Sequence, residues 1–274
     1  MQDIGSTIRE KLKTGKISLP SLPDNAVKLR MLAADPKSTM NDLAVLIGHD
    51  ASVSAQLIRL AQTMRYSHPG CKITSLFTAI NRIGLNGTVN LVLAMSILQG
   101  YNFHSKLLHS MCREDYNRSR HVCRYSLTVY RLIHGDLPRP VGDYISLAAI
   151  FLNIGFLPIY SELDAIERVS QISIEADMVE EWKKHLRSQL GKMILEKWKF
   201  DQSFIDVMSL VIDETYTEEM KAVVYGYEYV NSNPSAGLIP LGKDLSDSFT
   251  FIDEGKYLDD LKVFLQEKNL LVRK

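Results

Sequence analysis

Residues 73–94 read ITSLFTAINRIGLNGTVNLVLA, and this stretch sets the structural class of the chain. Its apolar side chains recur every three or four positions, at Leu76, Ile80 and Ile83. That spacing places them on one face of an α-helix, with Thr74 as its N-cap and Gly84 just beyond its last turn. Residues 89–98 are nearly all apolar, which is typical of a helix buried on every side. The stretch therefore predicts two consecutive helices in a helical core.

The segments before this stretch carry the start and stop signals of further helices. The prolines of Leu19-Pro20-Ser21-Leu22-Pro23 favour an extended connector. Residues 26–34 then have a helical pattern that stops ahead of the next proline. Thr39 and Asp42 have the spacing of a capping box, and Asp50 is a good N-cap for the helix that follows it. This helix carries an apolar stripe at Val53, Leu57, Leu60, Ala61 and Met64.

Longer helical patterns dominate the rest of the chain. Apolar periodicity predicts helices over about 115–134, 142–157, 176–198, 202–230 and 256–268, and a short helix near 4–12. Residues 101–115 are more polar and predict a connector. No segment has the alternation that is typical of a strand. We therefore expect an all-α fold of two packed helical lobes, an N-terminal lobe over 1–105 and a second lobe with a C-terminal helix over 106–274.

Composition and charge narrow the classes of function. The chain has 274 residues with 32 basic and 32 acidic side chains, so its formal net charge is zero. A neutral chain has no overall field to hold a polyanion, which disfavours nucleic acid and anionic membranes as partners. Its three cysteines, Cys71, Cys112 and Cys123, lack the spacing of a disulfide framework. The first residues lack the apolar region of a signal peptide, and we expect a cytoplasmic protein.

One stretch imitates a membrane span. Residues 144–161 carry no charge over 18 positions, which is close to the length that crosses a bilayer. The stretch contains Asn153, Gly155 and Pro158, and its flanks are not basic. A helix that is apolar on all sides is also typical of the centre of a large helical core. We therefore predict a buried core helix here and no membrane anchor.

Three segments occur in an order that resembles a known family. Residues 19–36 read LPSLPDNAVKLRMLAADP, residues 43–66 read LAVLIGHDASVSAQLIRLAQTMRY, and residues 74–84 fit the pattern T-S-L-x-x-A-I-x-x-I-G. Together they resemble the N-terminal half of an HDOD domain, with its Leu-Pro-x-Leu-Pro start and its capped helix pair. The later segments LAAIFLNIGFLPIYSE and LGKMILEKW extend the resemblance to about residue 230.

HDOD domains are similar to the HD superfamily of metal-dependent phosphohydrolases. In that chemistry, His and Asp side chains hold a divalent ion, which lowers the pKa of a bound water and makes it a nucleophile. The central ligands are an adjacent His-Asp pair in the pattern His-Asp-x-Gly-x-Leu. The matching stretch here reads LNIGFL. We expect Asn153 at the His position and Ile154 at the Asp position. Asn is a poor ligand for a transition metal, and Ile cannot ligate one.

The resemblance places the other ligand positions on residues that also do not ligate metals. The upstream His position falls near Arg118, with His121 as its other candidate within a few residues. Further His positions fall on Arg187 and on the pair Val211 and Ile212. A cation at Arg118 or Arg187 would repel a metal ion if it pointed inward. The resemblance thus implies a degenerate pocket with no metal, no other cofactor and no catalytic residue.

The function implied by the resemblance is signal transduction by a non-catalytic regulatory domain. Such a domain acts through protein partners in a signalling pathway, or through an unidentified small ligand in the former metal pocket. The alternative is a divergent metal-dependent phosphohydrolase that acts on a nucleotide or a phosphodiester. Its metal ligands would have to converge to roughly 2.0–2.6 Å from one point. The candidates for that ligand set are His121, Asp213, Glu214 and Glu228.

Arginines are concentrated in one region, and three recur at helical spacing, at Arg120, Arg124 and Arg131. Such a stripe could bind a phosphate or a nucleic acid. The neutral total charge instead favours a solvated helix face on which Glu114 and Asp115 pair with the arginines. We therefore do not expect a nucleic-acid-binding protein.

The literal dipeptide His49-Asp50 lies far along the chain from the HD position. Asp50 fits a helix N-cap before Ala51, where its carboxylate accepts backbone N–H bonds. We expect His49 to be a polar loop residue. The His and Cys residues between 104 and 123 do not match the common zinc spacings either. We therefore predict no metal site outside the degenerate pocket.

Overall fold

A computed structural model describes the structure of residues 10–11, 14, 16–63, 73–99, 103–170, 172–233, 236–237, 252 and 255–271. Within these ranges the chain forms helices and the connections between them, and no strand. The all-α fold predicted from the sequence is confirmed. Most of the helix predicted near 4–12 lies outside the described residues.

Five helices lie before residue 100 and seven after it in the described part of the chain. The first group is α1 (Asp24–Ala34), α2 (Met40–Gly48), α3 (Ala51–Ala61), α4 (Leu76–Ile83) and α5 (Leu85–Gln99). The second group begins with α6 (Lys106–His134), α7 (Arg139–Phe151), α8 (Phe156–Ser170) and α9 (Ala176–Lys197). It ends with α10 (Gln202–Asp206), a 3₁₀ turn (Val207–Ser209), α11 (Glu218–Ser232) and α12 (Lys256–Glu267).

The predicted caps of α2 and α3 are confirmed. The Thr39 hydroxyl accepts from the Asp42 backbone N–H at 3.3 Å, and the Asp42 carboxylate accepts from the Thr39 backbone N–H at 2.8 Å. This reciprocal pair is a capping box. The Asp50 carboxylate accepts from the backbone N–H groups of Ser52 and Val53 at 2.9 and 3.0 Å. Asp50 is thus the N-cap of α3, and His49 is exposed.

Helix α4 begins one residue later than predicted. Its N-cap is Ser75, whose hydroxyl accepts from the Thr78 backbone N–H at 3.1 Å, and not Thr74. Gly84 ends the helix with a φ of 90°, a conformation that costs little without a side chain. Helix α5 then starts directly at Leu85. The two consecutive helices of the opening stretch are confirmed.

The predicted connector over 101–115 is wrong, because α6 already begins at Lys106. The N-cap is Ser105, whose hydroxyl accepts from the Leu108 backbone N–H at 3.5 Å. The Asp164 carboxylate on α8 accepts from the backbone N–H groups of His104 and Ser105 at 2.9 and 3.0 Å, and so holds the two residues that precede the helix. Periodicity alone could not reveal this contact from another helix.

The uncharged stretch over 144–161 is buried, as predicted, but it is not one helix. Helix α7 ends at Phe151 and α8 begins at Phe156, with a turn at 152–155 between them. Every residue from 145 to 160 is buried. Residues 139–170 form the one candidate span found in the described part of the chain, and 89% of its most apolar 18-residue window is buried inside the protein. The apolar character of the stretch is therefore accounted for by the protein core.

The chain divides into two compact units that differ from a linear split. The first unit collects residues from 1–21, 101–116 and 151–209. The second unit collects residues from 22–100, 117–150 and 210–274. Helix α6 therefore contributes its first part to one unit and the rest to the other. The division of the chain into lobes near residue 105 stays a prediction.

Each unit has its own apolar core. In the first unit, α8 and α9 pack together and a residue of the N-terminal segment joins them. Its buried cluster consists of Ile17, Leu108, Met111, Phe156, Ile159, Tyr160, Leu163, Ile174, Val179, Trp182, Leu186 and Leu190. In the second unit, the largest fully buried side chains come from α1, α2, α3, α6 and α11. They include Leu29, Leu43, Leu57, Leu60, Tyr125 and Tyr229.

Replacing Leu152 with Ala tests whether the turn at 152–155 belongs to this core. Leu152 is fully buried, so the substitution should leave a cavity and lower the free energy of unfolding by about 2–5 kcal/mol. Urea denaturation followed by circular dichroism measures the change. Val169→Ala is the matched control, because that side chain is 85% exposed and its loss should change stability by less than about 0.5 kcal/mol. Equal effects of the two substitutions would contradict a buried turn.

Candidate functional site

The turn between α7 and α8 holds Asn153 and Ile154, which we expected at the positions of the HD pair. Counted back from Gly155, the pattern His-Asp-x-Gly-x-Leu places the pair on Leu152 and Asn153, so that assignment was one residue too late. Asn153 and Ile154 are 7% and 3% exposed. The turn is closed by two backbone bonds, from Ile154 N–H to the Phe151 carbonyl at 2.9 Å and from Phe156 N–H to the Asn153 carbonyl at 3.0 Å. Both side chains therefore sit at fixed places in a dry part of the first unit. Ile154 offers no lone pair there, and Asn153 offers a neutral amide.

Gly155 brings this turn into backbone contact with α9. A Cβ atom at residue 155 would lie 2.0 Å from the Arg187 carbonyl oxygen and 2.8 Å from the Gly191 backbone nitrogen. Both are main-chain atoms, which cannot move aside as the end of a side chain can. Only glycine fits such a close approach. The requirement at 155 is thus one of space.

Arg187 closes this contact from the side of α9. Its Nη1 donates to the Leu152 carbonyl at 3.0 Å, and its Nη2 donates to the Met208 carbonyl at 2.9 Å. The guanidinium thereby joins the α7–α8 turn to the 3₁₀ turn that follows α10. A planar fork of fixed donors suits such a two-point link. We call this arrangement, Arg187 with its two carbonyl acceptors, the arginine clamp.

A buried charge network lies in the same unit. The Asp115 carboxylate accepts from the Tyr160 hydroxyl and from Lys183 Nζ, the latter at 2.8 Å. Lys183 also donates to Glu180 at 2.7 Å, and its ammonium lies 4.7 Å from the centre of the Phe156 ring. Asp115 and Lys183 are 7% and 6% exposed. The prediction that Asp115 belongs to a solvated face paired with arginines is therefore wrong.

The network reaches the turn through the backbone of Asp115. Asn153 Nδ2 donates to the Asp115 carbonyl at 3.5 Å, a long hydrogen bond. The Asn153 amide thus has an internal acceptor, as expected for a buried polar group. Helices α6, α8 and α9 and the turn all meet at this network.

Burial controls protonation near the network. It raises the pKa of the Asp115 carboxyl, while the Lys183 cation and the Tyr160 hydroxyl oppose that rise. Burial also raises the pKa of the Cys112 thiol to about 11, and the charge of Asp115 adds to the effect. A thiol in that state is protonated at neutral pH, which makes it a poor nucleophile and a poor ligand.

The spacing of apolar residues on α9 could have identified Lys183 as a buried lysine from the sequence. Val179, Trp182, Leu186 and Leu190 recur at the spacing of one buried helix face, and all four are buried. Lys183 lies on that face, between Trp182 and Leu186. A lysine on an apolar face requires a buried anion. The pattern does not say which carboxylate supplies it.

The predicted positions on α6 lie in the second unit. Arg118 is exposed, and its Nη1 donates to the Asn231 side chain of α11 at 3.1 Å. His121 is 6% exposed, and its Nδ1 has no hydrogen-bond partner among the described residues. Burial and the neighbouring cations of Arg120, Arg124 and Arg118 together lower the pKa of His121 to about 4. The imidazole is therefore neutral at neutral pH.

The arginine stripe predicted on this helix does not form one exposed face. Arg120 is only 4% exposed, whereas Arg131 is exposed. The error has a simple reason. Helix α6 is covered on more sides than a surface helix, so charged residues at helical spacing do not share a solvated surface.

Of the remaining predicted positions, residues 211–214 lie in a loop of the second unit and Glu228 lies on α11. Val211 and Ile212 are 67% and 36% exposed. Asp213 closes a local turn by accepting from the Thr215 backbone N–H at 2.8 Å, and the Thr215 hydroxyl bond lowers the pKa of this carboxyl. Glu228 pairs with Lys268. These carboxylates thus serve local turns and ion pairs.

The candidate ligands do not assemble into a metal centre. Across the described ranges, no group of three or more His, Cys, Asp or Glu side chains is placed to hold a metal ion. The set His121, Asp213, Glu214 and Glu228 therefore does not meet the condition of convergence. The donors present do not fit the metal of the HD superfamily, and we derive no hydrolytic step through one.

The predicted pocket positions are divided between the two units. Asn153, Ile154 and Arg187 belong to the first unit, where Arg187 bonds the carbonyl of Leu152, the residue before Asn153. Arg118, Val211 and Ile212 belong to the second unit. Their assignment as the positions of a degenerate pocket stays a prediction. The sequence did not reveal the clamp acceptors, Asp115 or Tyr160.

The helix order and this turn define an HD-type helical domain, and comparison with known proteins gives the family. The family model of the HDOD domain matches residues 19–212. The chain belongs to the HDOD domain family, and the resemblance seen in the sequence is confirmed. A comparison with curated proteins finds no significant match.

Solved structures share the fold. A protein from Shewanella amazonensis SB2B, assigned provisionally as a metal-dependent phosphohydrolase, matches with a TM-score of 0.74 and 21% identity over 97% of this chain and 90% of that chain. An HDOD domain protein of unknown function from Geobacter sulfurreducens matches with a TM-score of 0.53 and 16% identity over 81% of this chain and 76% of that chain. At these identities the likeness shows the fold alone.

The two adjacent lysines of α9 test the buried network. Lys183→Met leaves the Asp115 carboxylate buried without its cation, so the free energy of unfolding should fall by about 3–5 kcal/mol. Lys184→Met is the control, because Lys184 is exposed and its loss should cost less than about 0.5 kcal/mol. Urea denaturation of both variants measures the difference. A loss below about 1 kcal/mol for Lys183→Met would show that Asp115 is compensated in another way.

The buried imidazole predicts a pH dependence of stability. The unfolded chain takes up a proton at the ordinary pKa of 6.5, whereas folded His121 does so only near 4. Between these values the unfolded state binds more protons, so stability falls as the pH is lowered from 6.5 to 4. His121→Gln should weaken this dependence, and His185→Gln, at an exposed position, should not. Urea midpoints at several pH values test it, and unchanged slopes for His121→Gln would refute it.

Proposed function

We propose that this HDOD domain is a non-catalytic signal-transduction element. The arginine clamp is the observation that carries the proposal. Arg187 stands at a position where the resemblance to the family places a ligand His, and its guanidinium donates to two backbone carbonyls. If Arg187 turned away to bind another group, the Leu152 and Met208 carbonyls would lose their hydrogen bonds, and the guanidinium would have to be solvated elsewhere. The position therefore serves the packing of the domain.

The chemistry at the HD position supports the same proposal. A phosphohydrolase of this type needs an ion that activates water, and Asn153 and Ile154 supply no anionic or imidazole donor for it. The imidazole of His121 is buried among cations that lower its pKa. Those cations oppose a metal ion as they oppose a proton. We infer that the ancestral chemistry has been replaced by a packed interior.

A domain without chemistry transmits a signal by binding, and we propose protein partners in a signalling pathway. Exposed apolar side chains on helices of the second unit support this, including Val27 and Met31, one turn apart on α1. A small ligand in the former metal pocket is the second form of the proposal. The buried state of the 144–161 stretch supports a cytoplasmic protein without an anchor in that segment. Capture of partners from a cytoplasmic extract, followed by mass spectrometry, tests the binding role.

We expect the purified protein to carry no stoichiometric transition metal and to hydrolyse no phosphodiester. The reason is that the residues at the HD position, Leu152, Asn153 and Ile154, supply no anionic or imidazole donor for a metal ion. Elemental analysis measures the metal, and bis-p-nitrophenyl phosphate with added Mn²⁺ measures the activity. A single equivalent of Fe, Mn, Ni or Zn per chain, or turnover above the buffer rate, would contradict the proposal.

A double substitution gives the matched test. Leu152→His with Asn153→Asp restores the pair at the spacing His-Asp-x-Gly-x-Leu, yet it should create no hydrolysis, because Arg118, Arg187 and Val211 would remain. It should lower the melting temperature, since the new carboxylate is buried in apolar surroundings at a cost of several kcal/mol. The control Ile154→Val should stay close to the original stability. Hydrolysis by the double variant would show that the pocket is nearer to function than we propose.

A further inference from the structure

Helix α12 lies beyond residue 212, where the match to the family model ends. It packs within the second unit through one apolar face, formed by Leu258, Leu261 and Leu265, all of which are buried. Its Phe264 ring lies 5.2 Å from the ring of Tyr229 on α11. At its end, Lys268 pairs with Glu228 of α11. These contacts dock α12 on α11, whose Tyr229 ring also packs against Tyr125 of α6.

Two buried tyrosines lie at this contact. Tyr125 of α6 and Tyr229 of α11 are 0% and 1% exposed, and their ring centres are 4.8 Å apart. Neither hydroxyl has a hydrogen-bond partner among the described residues. The same holds for the hydroxyl of Ser126. A buried hydroxyl without a partner is unusual, because its desolvation is not offset.

The tyrosines face α12. Burial raises the pKa of Tyr229 to about 12, and the Asp260 carboxylate of α12 contributes to the shift. Burial also raises the pKa of Tyr125, with contributions from Tyr229, Tyr257 and Asp260. Asp260 is thus close enough for its charge to act on both phenols, yet it bonds to neither. Docked in this way, α12 covers two donors that it does not satisfy.

Helices α6 and α11 contact each other directly, without a contribution from α12. A Cβ atom at Gly226 of α11 would lie 2.7 Å from the Ser126 backbone nitrogen of α6 and 2.1 Å from its hydroxyl oxygen. The two helices therefore meet with their main chains in contact. Water could solvate the two phenols when α12 leaves, while α6 and α11 stay packed. The desolvation free energy of the two unpaired hydroxyls therefore weakens the docking of α12.

We propose that α12 is a displaceable latch that undocks from α6 and α11 without unfolding of the rest of the second unit. Its apolar contacts favour docking, and the unsatisfied phenols oppose it. The balance makes undocking a local opening with a lower free energy than global unfolding. The released surface presents two tyrosine hydroxyls and an apolar patch. This inference does not depend on the proposed function, since it concerns neither the HD position nor a metal.

Native-state hydrogen exchange of the full chain, read by mass spectrometry over a series of low urea concentrations, tests the latch. Amides of residues 258–267 should exchange through an opening with a weaker urea dependence than those of residues 120–132 in α6. They should also exchange at least about tenfold faster. The proposal is overturned if both segments exchange with the same free energy and the same urea dependence, because α12 would then open only when the domain unfolds.

A conservative substitution separates the latch from simple fraying. Tyr229→Phe removes an unsatisfied hydroxyl and keeps the ring, so exchange over 258–267 should slow by roughly fivefold to tenfold without a loss of melting temperature. The control is Tyr130→Phe. Tyr130 also lies on α6 but is not one of the two buried tyrosines, so its substitution should leave this exchange unchanged. Faster exchange of α12 in Tyr229→Phe would show that the hydroxyl supports docking, which would refute the mechanism.

Discussion

The contact between the Gly155 turn and the main chain of α9 constrains the rest of the first unit. A Cβ atom at residue 155 would lie 2.0 Å from the Arg187 carbonyl oxygen, so the turn can pack this closely on the helix only with glycine at that position. Arg187 can then reach the Leu152 and Met208 carbonyls. Asn153 is held over the backbone of Asp115. A position that the resemblance assigns to metal chemistry thereby becomes part of the packing.

Two buried polar clusters differ in how well their groups are paired. In the first unit, Asp115 receives both Tyr160 and Lys183, so the buried charges are paired and the network fixes three helices. In the second unit, Tyr125 and Tyr229 are buried beneath α12 with their hydroxyls unpartnered among the described residues. A satisfied network resists opening, and an unsatisfied one lowers the free energy of opening. The contrast separates a rigid core from an element suited to movement.

Local signals in the sequence predicted much of the fold. The caps at Thr39 and Asp50 were correct because each is made by atoms within three residues of one another. The burial of residues 145–160 was also correct, since it follows from composition. The start of α6 was wrong because residues 104 and 105 are held by Asp164, about 60 residues away, and the polar residues that follow do not interrupt the helix. The break at 152–155 was missed because the apolar pattern continues through it.

The sequence by itself determined the helical class and the boundaries of the locally capped helices α2 and α3, and its resemblance to the HDOD family was confirmed. The helical class and these caps depend on spacings of a few positions, which local backbone physics translates directly. The tertiary structure alone decided the partners of the buried charges. Lys183 meets Asp115 across 68 positions, and Arg187 meets the Leu152 carbonyl across 35. A periodic pattern shows that a charged residue faces the core, but only packing brings the particular acceptor to it.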